Sequence, residues 1–242
     1  MSSSAEPYLS LVLACYNEEE TLVQSFAEIR AVLDALQRPY EVIFVDDVSR
    51  DRTRALLEDL VARHTELALR VVLHDSNQGR GATVTDGFRL ARGTYTGYLD
   101  VDLETHPRYI PSLLRALEAG ADVATVRRVY LLELHSLDRF VLSRGYAWLV
   151  QRLLGTRVQD TETGFKFFRR ERLLPLLDQV QDRHWFWDTE IMVLAERQAL
   201  RIAEIPGAFV RRQDKTSTLH PWRDTLVYFR QLWRFRKRLR AA

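Results

Sequence analysis

Short apolar runs alternate with amphipathic stretches through the first half of the chain, and that alternation constrains the fold more than any other feature. Tyr8 to Ala14 is a nearly continuous apolar run, as expected of a strand buried on both faces of a parallel sheet. After a polar break at Cys15-Tyr16-Asn17-Glu18, Leu22, Phe26, Ile29, Leu33 and Leu36 recur at helical spacing within Glu19 to Leu36. The pattern then repeats. Strands are predicted over Glu41 to Val45, Leu69 to His74, Tyr95 to Leu99 and Asp122 to Val126, with helices over Arg52 to His64, Ala82 to Ala91 and Arg108 to Ala119 between them. Strands joined this way run parallel through right-handed crossovers, so the fold class is α/β, with ligand-binding groups beyond the carboxyl ends of the strands.

Every conspicuous polar cluster of this half falls on that rim: Tyr16-Asn17-Glu18, Asp46-Asp47, Asn77 to Gly81, and Asp100 to Glu104. Ser49 and Asp51 are suited to capping the helix that follows the second cluster. In the last cluster Asp100, Asp102 and Glu104 occupy alternate positions, so they converge on one point if the extended strand continues that far. Crowded carboxylates raise one another's pKa unless a cation neutralises them. Hard oxygen ligands suit Mg²⁺ or Mn²⁺, and Mg²⁺ usually combines one or two carboxylates with phosphate oxygens and water, which implies a phosphorylated ligand. Gly79 and Gly81 are expected to let backbone N–H groups approach an anion at the start of the following helix. Together with an acidic pair that can accept from a base or ribose, these features suit a nucleoside diphosphate. No G-x-x-x-x-G-K-[ST] or G-x-G-x-x-G occurs, which argues against a P-loop NTPase or a dinucleotide enzyme.

The residues themselves carry a resemblance. Leu11 to Glu18, Val45-Asp46-Asp47-Val48-Ser49-Arg50-Asp51-Arg52-Thr53, Asn77-x-Gly-x-Gly-Ala82 and Leu99-Asp100-Val101-Asp102-Leu103-Glu104-x-His106-Pro107 resemble, in order, the signatures of inverting GT-A glycosyltransferases. The branch most similar is that of the dolichyl- and polyprenyl-phosphate mannose or glucose synthases, through Val126-Arg127, Ser143-Arg144-Gly145, Asp160 to Phe168 and Trp187 to Ile191. The resemblance implies a GT-A (Rossmann-like), mostly parallel sheet flanked by helices. It implies transfer of a hexose from a UDP- or GDP-sugar to a polyprenyl phosphate with inversion, using Mg²⁺ or Mn²⁺. Ala14, Tyr16, Glu18, Asp46, Asp47, Gly79, Gly81, Asp100 and Arg212 would bind the donor, and Asp100, Asp102 and Glu104 the metal. Arg127, Arg139, Arg144 and Lys166 would face the acceptor. Asp102, Asp160 and Arg127 are the residues expected to carry catalysis. A phosphate acceptor is already ionised near neutral pH and needs little general base; a soluble hydroxyl acceptor needs one, for which Asp160 or Asp188 is the candidate. A non-catalytic sugar-nucleotide-binding protein is the alternative from another class. Four positions depart from the family: Ala14 stands where proline is usual, Val48 where glycine is usual, and Lys215 and Thr218 where glycine and lysine are common.

Beyond Arg127 the alternation lapses. The expected division is a nucleotide-sugar half over 1–126, an acceptor half of the same domain over 127–218, and a basic amphipathic helix over 219–242. Helices are predicted over Leu137 to Leu154 and Arg170 to Leu177, a third starting near Trp187, and short strands over Arg201 to Ile205 and Ala208 to Arg211 on either side of Pro206-Gly207. The tail, aromatic and rich in arginine, either packs on the domain or lies on an anionic membrane surface. Nucleic acid is not an expected partner, since no reading motif accompanies the basic residues. The single cysteine, Cys15, allows no internal disulfide, and His74, His106 and His220 show no metal-ligand spacing. The first residues lack a signal-peptide pattern, and no apolar run is long enough to span a bilayer, so a cytoplasmic or peripheral protein is expected.

Overall fold

In a computed structural model, residues 6–130, 137–210 and 221–241 are described, with side chains for 6–129, 145–210 and 227–241. Seven strands form one sheet: β1 (Leu9–Cys15), β2 (Tyr40–Asp46), β3 (Ala68–Leu73), β4 (Tyr95–Leu99), β5 (Val123–Tyr130), β6 (Phe165–Arg169) and β7 (Ile202–Phe209). The helices are α1 (Leu22–Ala35), α2 (Thr53–Arg63), α3 (Arg80–Leu90), α4 (Ile110–Glu118), α5 (Leu137–Leu154), α6 (Arg170–Leu177), α7 (Trp187–Arg197) and α8 (Pro221–Ala241). The strand order is β3-β2-β1-β4-β6-β5-β7. All pairings are parallel except those of β6, which runs antiparallel to β4 and β5.

The apolar runs of β1 and β2 bury both faces, as their continuous hydrophobicity demands. Leu9, Leu11 and Leu13 face Phe26, Ile29 and Phe44 in one core cluster beneath α1, α2 and α4. Val12, Ile43, Val45 and Tyr98 face the other, beneath α3, α6 and α7. Helix α7 is buried from Trp187 to Ala195, all but its last two residues, so it lies within the fold, with α5 and α8 packed outside it.

Two expectations for the second half need correction. Arg127 and Arg128 do not open an irregular segment: β5 continues through both to Tyr130, in unbroken register with β7, so a boundary at 126/127 falls inside a strand. The strands predicted on either side of Pro206-Gly207 are one strand, β7. Proline is tolerated there because β7 is the edge of the sheet, where a missing N–H breaks no second ladder.

Candidate functional site

At the carboxyl ends of β1 and β2, two loops are tied to each other by side chain to backbone hydrogen bonds. Asn17 N–H donates to Ser49 Oγ (2.9 Å), Glu18 N–H to Thr53 Oγ1 (2.7 Å) and Glu19 N–H to Asp51 Oδ2 (3.1 Å), while Arg50 N–H donates to Asn17 Oδ1 (2.8 Å). Asp51 also takes the Thr53 N–H (3.0 Å), one residue ahead of the α2 N-cap, which falls on Arg52. Tyr16 is exposed on this rim, and Ala14 and Glu18 are half-buried. Val48 adopts φ +66°, a conformation that costs a β-branched residue and that the glycine usual at this position would adopt freely.

The two adjacent acids do different work. Asp47 is saturated: His74 Nδ1 lies 2.9 Å from Oδ1, Gln78 N–H donates to Oδ1 (2.7 Å) and Gly79 N–H to Oδ2 (2.9 Å). It therefore builds the 77–79 turn. Asp46 is fully buried and accepts on Oδ2 from Arg54 Nε (2.6 Å) and Ser49 N–H (3.1 Å), but its buried Oδ1 has no hydrogen-bond partner among the described residues. Of the pair, Asp46 is the one with an unused acceptor.

The glycine turn does not present itself as an anion cradle. Gly79, at φ +90°, spends its N–H on Asp47, and Ala82 N–H donates to the Arg183 carbonyl (3.0 Å). A Cβ at Gly79 would lie 2.6 Å from that same carbonyl, and one at Gly81 would lie 2.5 Å from Trp187 Cβ. Both glycines allow the segment entering α7 to close over the start of α3, and the Gly79 N–H is used within the fold.

At the end of β4 the chain turns at once. Leu103 N–H donates back to the Asp100 carbonyl (3.2 Å) and Leu103 takes φ +53°, so the extended geometry that would align three acids ends at Leu99. Among the described residues no three His, Cys, Asp or Glu groups are arranged to hold a metal. The three-carboxylate convergence is thus corrected: Glu104 runs beside the end of β7, its carbonyl accepting from Val210 N–H (2.8 Å). Asp100 and Asp102 remain in one turn, and Asp100 fills the space that Gly164 leaves by having no Cβ. Burial, reinforced by the charges of Asp102 and Asp188, holds the Asp100 carboxyl above the usual range although Arg80 pulls it down. Two carboxylates are what Mg²⁺ or Mn²⁺ needs when diphosphate oxygens and water complete the shell, so the residues fit the metal.

Beneath this turn lies a buried ionic chain that sequence reasoning largely missed. Arg80, which sits between the two glycines, donates to Asp100 Oδ1 through Nε (3.1 Å) and Nη2, and to Asp188 through Nη1. Asp188 also accepts from Lys166 Nζ (2.6 Å) and Tyr98 Oη, and is almost wholly buried. It lies in the first turn of α7 and is not the accessible acid expected of a general base. Lys166, placed by expectation at the acceptor pocket, is completely buried; desolvation lowers its pKa against the pull of Asp188. Its ammonium donates to Tyr98 Oη (3.2 Å), Asp188 and the Thr163 carbonyl.

Asp160 is held by Arg128: backbone N–H (3.0 Å), Nε (2.8 Å) and Nη2 (2.8 Å) all donate to its carboxylate. Burial alone would raise the Asp160 pKa, but Arg128 outweighs it and keeps the group ionised. Arg127, one residue earlier on the same strand, lies on the opposite face of β5. Glu162, 3.6 Å from Arg128 and flanked by the charges of Asp160 and Asp188, is pushed up to about 7, chiefly by burial. No spacing singled it out; only the fold brings it among other acids. Its charge acts on Tyr146 and Tyr228, whose rings meet edge to face at 5.5 Å beside it and whose pKa values are raised first by burial and then by Glu162. Arg139 and Arg144 lie on α5 but their side chains are outside the described residues, as are Arg212, Lys215 and Thr218.

The profile of Glycosyl transferase family 2 matches residues 10–174, more than half of the chain. The chain belongs to that family. Among family relatives, it is 34% identical over 213 residues to glycosyltransferase AglD of Haloferax volcanii, covering 85% of this chain and 33% of that protein. To the dolichyl-phosphate beta-glucosyltransferase of Dictyostelium discoideum it is 28% identical over 213 residues, covering 82% of this chain and 65% of the other. The chain thus spans about a third of one relative and just under two thirds of the other. Glucosyl-3-phosphoglycerate synthase of Mycobacterium tuberculosis, solved with Mn²⁺, uridine diphosphate and phosphoglyceric acid, superposes with a TM-score of 0.65 at 20% identity, covering 93% of this chain and 76% of that one. The family 2 fold here is the GT-A fold expected from the motifs, a mostly parallel sheet flanked by helices.

Proposed function

We propose that this family 2 chain transfers a hexose from a UDP- or GDP-linked donor to a polyprenyl phosphate, inverting the anomeric centre, with Mg²⁺ or Mn²⁺ bound at the Asp100–Asp102 turn. One juxtaposition carries the reading. Asp46, with its buried and unpartnered Oδ1, stands at the end of β2, and the paired acids Asp100 and Asp102 follow the end of β4; β1 lies between. Two inter-strand spacings separate them, about 10 Å, the reach of a nucleoside from its base to its diphosphate. Asp46 would accept from the base or ribose, with Tyr16 and Glu18 beside it, and Arg212 would close on the donor. The metal, when bound, supplies charge to the departing nucleoside diphosphate. Asp102 then works at the site of leaving-group charge, and Arg80 fixes the Asp100 carboxylate from behind.

The acceptor side favours a phosphate nucleophile. Asp160 is committed to Arg128 and Asp188 to Arg80 and Lys166, so neither expected general base is available to a hydroxyl. A phosphate attacks already ionised, and Arg127, Arg139 and Arg144 are the candidates to orient it. The dolichyl-phosphate relative supports this acceptor class, as its name states. One observation favours the alternative of a soluble hydroxyl acceptor: Glu162, with a pKa of about 7, is matched to proton transfer near neutral pH.

A matrix of sugar nucleotides against Mg²⁺ and Mn²⁺, with and without a short-chain prenyl phosphate, tests the reading through released nucleoside diphosphate and sugar product. Transfer is expected only when prenyl phosphate and metal are both present. Asp102→Ala should lower that turnover by roughly a hundredfold or more while leaving the far-UV spectrum unchanged; normal metal-dependent activity in this variant would remove the metal assignment.

A further inference from the structure

Residues 160–164 reach the working edge ahead of β6 and are bound to the Asp100–Asp102 turn, where Asp100 N–H donates to the Gly164 carbonyl (3.0 Å). Most polar groups of this loop are committed. Asp160 is held by three donors of Arg128 and takes the Glu162 N–H as well (3.2 Å). Thr161 Oγ1 lies 3.0 Å from Thr189 Oγ1, and the Thr163 carbonyl accepts from Lys166 Nζ. The Glu162 carboxylate is the exception. Among the described residues its one ion pair, with Arg128 Nη2 at 3.6 Å, is too long to be a hydrogen bond, and its side chain stays 28% exposed. Around it stand Arg128 of β5, Asp160 of its own loop, Lys166 of β6, Asp188 of α7, Tyr146 of α5 and Tyr228 of α8. The cations and the aspartates act in opposite directions and burial decides, so the carboxyl is pushed up to about 7. Near neutral pH it is therefore partly ionised and basic enough to take a proton.

We propose that Glu162 is the proton acceptor for neutral nucleophiles at this site, and that the chain therefore also hydrolyses its sugar nucleotide when no phosphate acceptor is bound. The inference rests on the donor reading above. The water oxygen forms a bond to the anomeric carbon while the bond from that carbon to the β-phosphate oxygen breaks, its electron pair leaving with the nucleoside diphosphate. One water proton passes to the Glu162 carboxylate. The products are free sugar and nucleoside diphosphate, and Glu162 returns its proton to solvent through its exposed side. Placement supports the role: the reading above puts the diphosphate at the Asp100–Asp102 turn, and Glu162 stands two residues from the carbonyl that anchors the first amide of that turn. Asp160 and Asp188, each bound to cationic side chains, cannot compete for the proton. An acceptor phosphate, already ionised, loses no proton on attack, so water depends on Glu162 far more than phosphate does.

Free sugar and nucleoside diphosphate released from UDP-glucose, UDP-galactose and GDP-mannose with Mg²⁺, first without acceptor and then with a short-chain prenyl phosphate, test the proposal. Slow hydrolysis is expected from the parent, rising with pH through about 7 and levelling above it. Glu162→Gln should remove that rise and lower hydrolysis roughly a hundredfold, at least about tenfold more than it lowers transfer, and Glu162→Asp should recover part of the loss. In the chain without donor or metal, the side-chain carboxyl NMR resonance that Glu162→Gln removes should titrate near 7. Hydrolysis and transfer lowered equally by Glu162→Gln, a pH rise that persists in that variant, a resonance that titrates in the ordinary carboxylate range, or a parent that transfers without any hydrolysis would each overturn the assignment and leave the donor reading in place. A parent that uses none of these sugar nucleotides in either assay overturns the donor reading, and this inference with it.

Discussion

The rim at β1 and β2 and the centre below β4 both gather carboxylates, but they hold them by opposite means. Asp47 and Asp51 are satisfied largely by backbone N–H groups, and Asp46 by one N–H and one half-exposed arginine. Asp100, Asp160 and Asp188 are instead neutralised by the cationic side chains of Arg80, Arg128 and Lys166, with Asp188 and Lys166 almost wholly buried. Backbone donors are fixed by the turn that carries them and cannot leave. A buried ion chain is held only by its own complementarity, so removal of one member strands the rest. The first arrangement suits a subsite of set shape, and the second suits one where charge changes during a reaction.

Removal of one member of an ion pair on each side breaks this comparison most sharply. Asp188→Asn leaves Arg80 and Lys166 facing a neutral amide in the interior and should destabilise the fold by about 3–5 kcal/mol. Arg54→Ala deprives Asp46 of a partner, but Ser49 N–H remains and the arginine is partly solvated, so about 1–2 kcal/mol is expected. Urea unfolding of the two variants measures both losses, and equal values would erase the distinction. A gain is expected on the rim. Val48→Gly removes a β-branched side chain from φ +66° and should stabilise by about 1 kcal/mol, read from the midpoint of the same titration.

A separate readout is pH, where two glutamates have opposite signs. Burial would raise the Glu41 pKa, but the Ser10 hydroxyl, the Arg92 N–H and the charges of Arg70 and Arg92 overcome it and hold the group below its ordinary value. Its contribution is present above the unfolded pKa, near 4.5, and is lost as pH falls through the lower folded value. Glu162 is raised from 4.5 to about 7, so the unfolded chain ionises first and stability declines as pH climbs through that window. Glu162→Gln should flatten the stability profile between those limits, and Glu41→Gln should flatten it only below them. Unfolding measured across pH 3 to 8, about the range that spans both transitions, checks the two signs; a profile unchanged by Glu162→Gln would contradict the second.

The same contrast decides what could be read before the structure. The strands of the first half announce themselves, since two-faced burial requires continuous apolar runs and the crossovers require amphipathic helices between them. The rim clusters follow from that alternation, because loops after parallel strands share an edge. The ionic chain has no such signature. Arg80 pairs with Asp100 across 20 residues and with Asp188 across 108, and neither separation leaves a period. Asp188 sits in the first turn of α7 as any helix-start acid does, and Glu162 in an ordinary loop. Extrapolation of the strand past Leu99 failed for a local reason: the chain turns within Asp100 to Leu103, and Leu103 has the left-handed conformation that ends the alternation.

The reversed direction of β6 has a consequence for how such a chain can change. In a purely parallel sheet every loop at the working edge leaves a strand and must lead into a crossover helix, so its length is tied to helix packing. Because β6 runs the other way, residues 160–164 arrive at that edge before their strand begins, and Gly164 reaches the Asp100 N–H from the opposite side (3.0 Å). The two halves of the working edge are therefore tethered independently, one to crossovers and one to a hairpin-like return. Insertions or substitutions ahead of β6 can remodel one partner's berth while the frame that holds the other stays as it is.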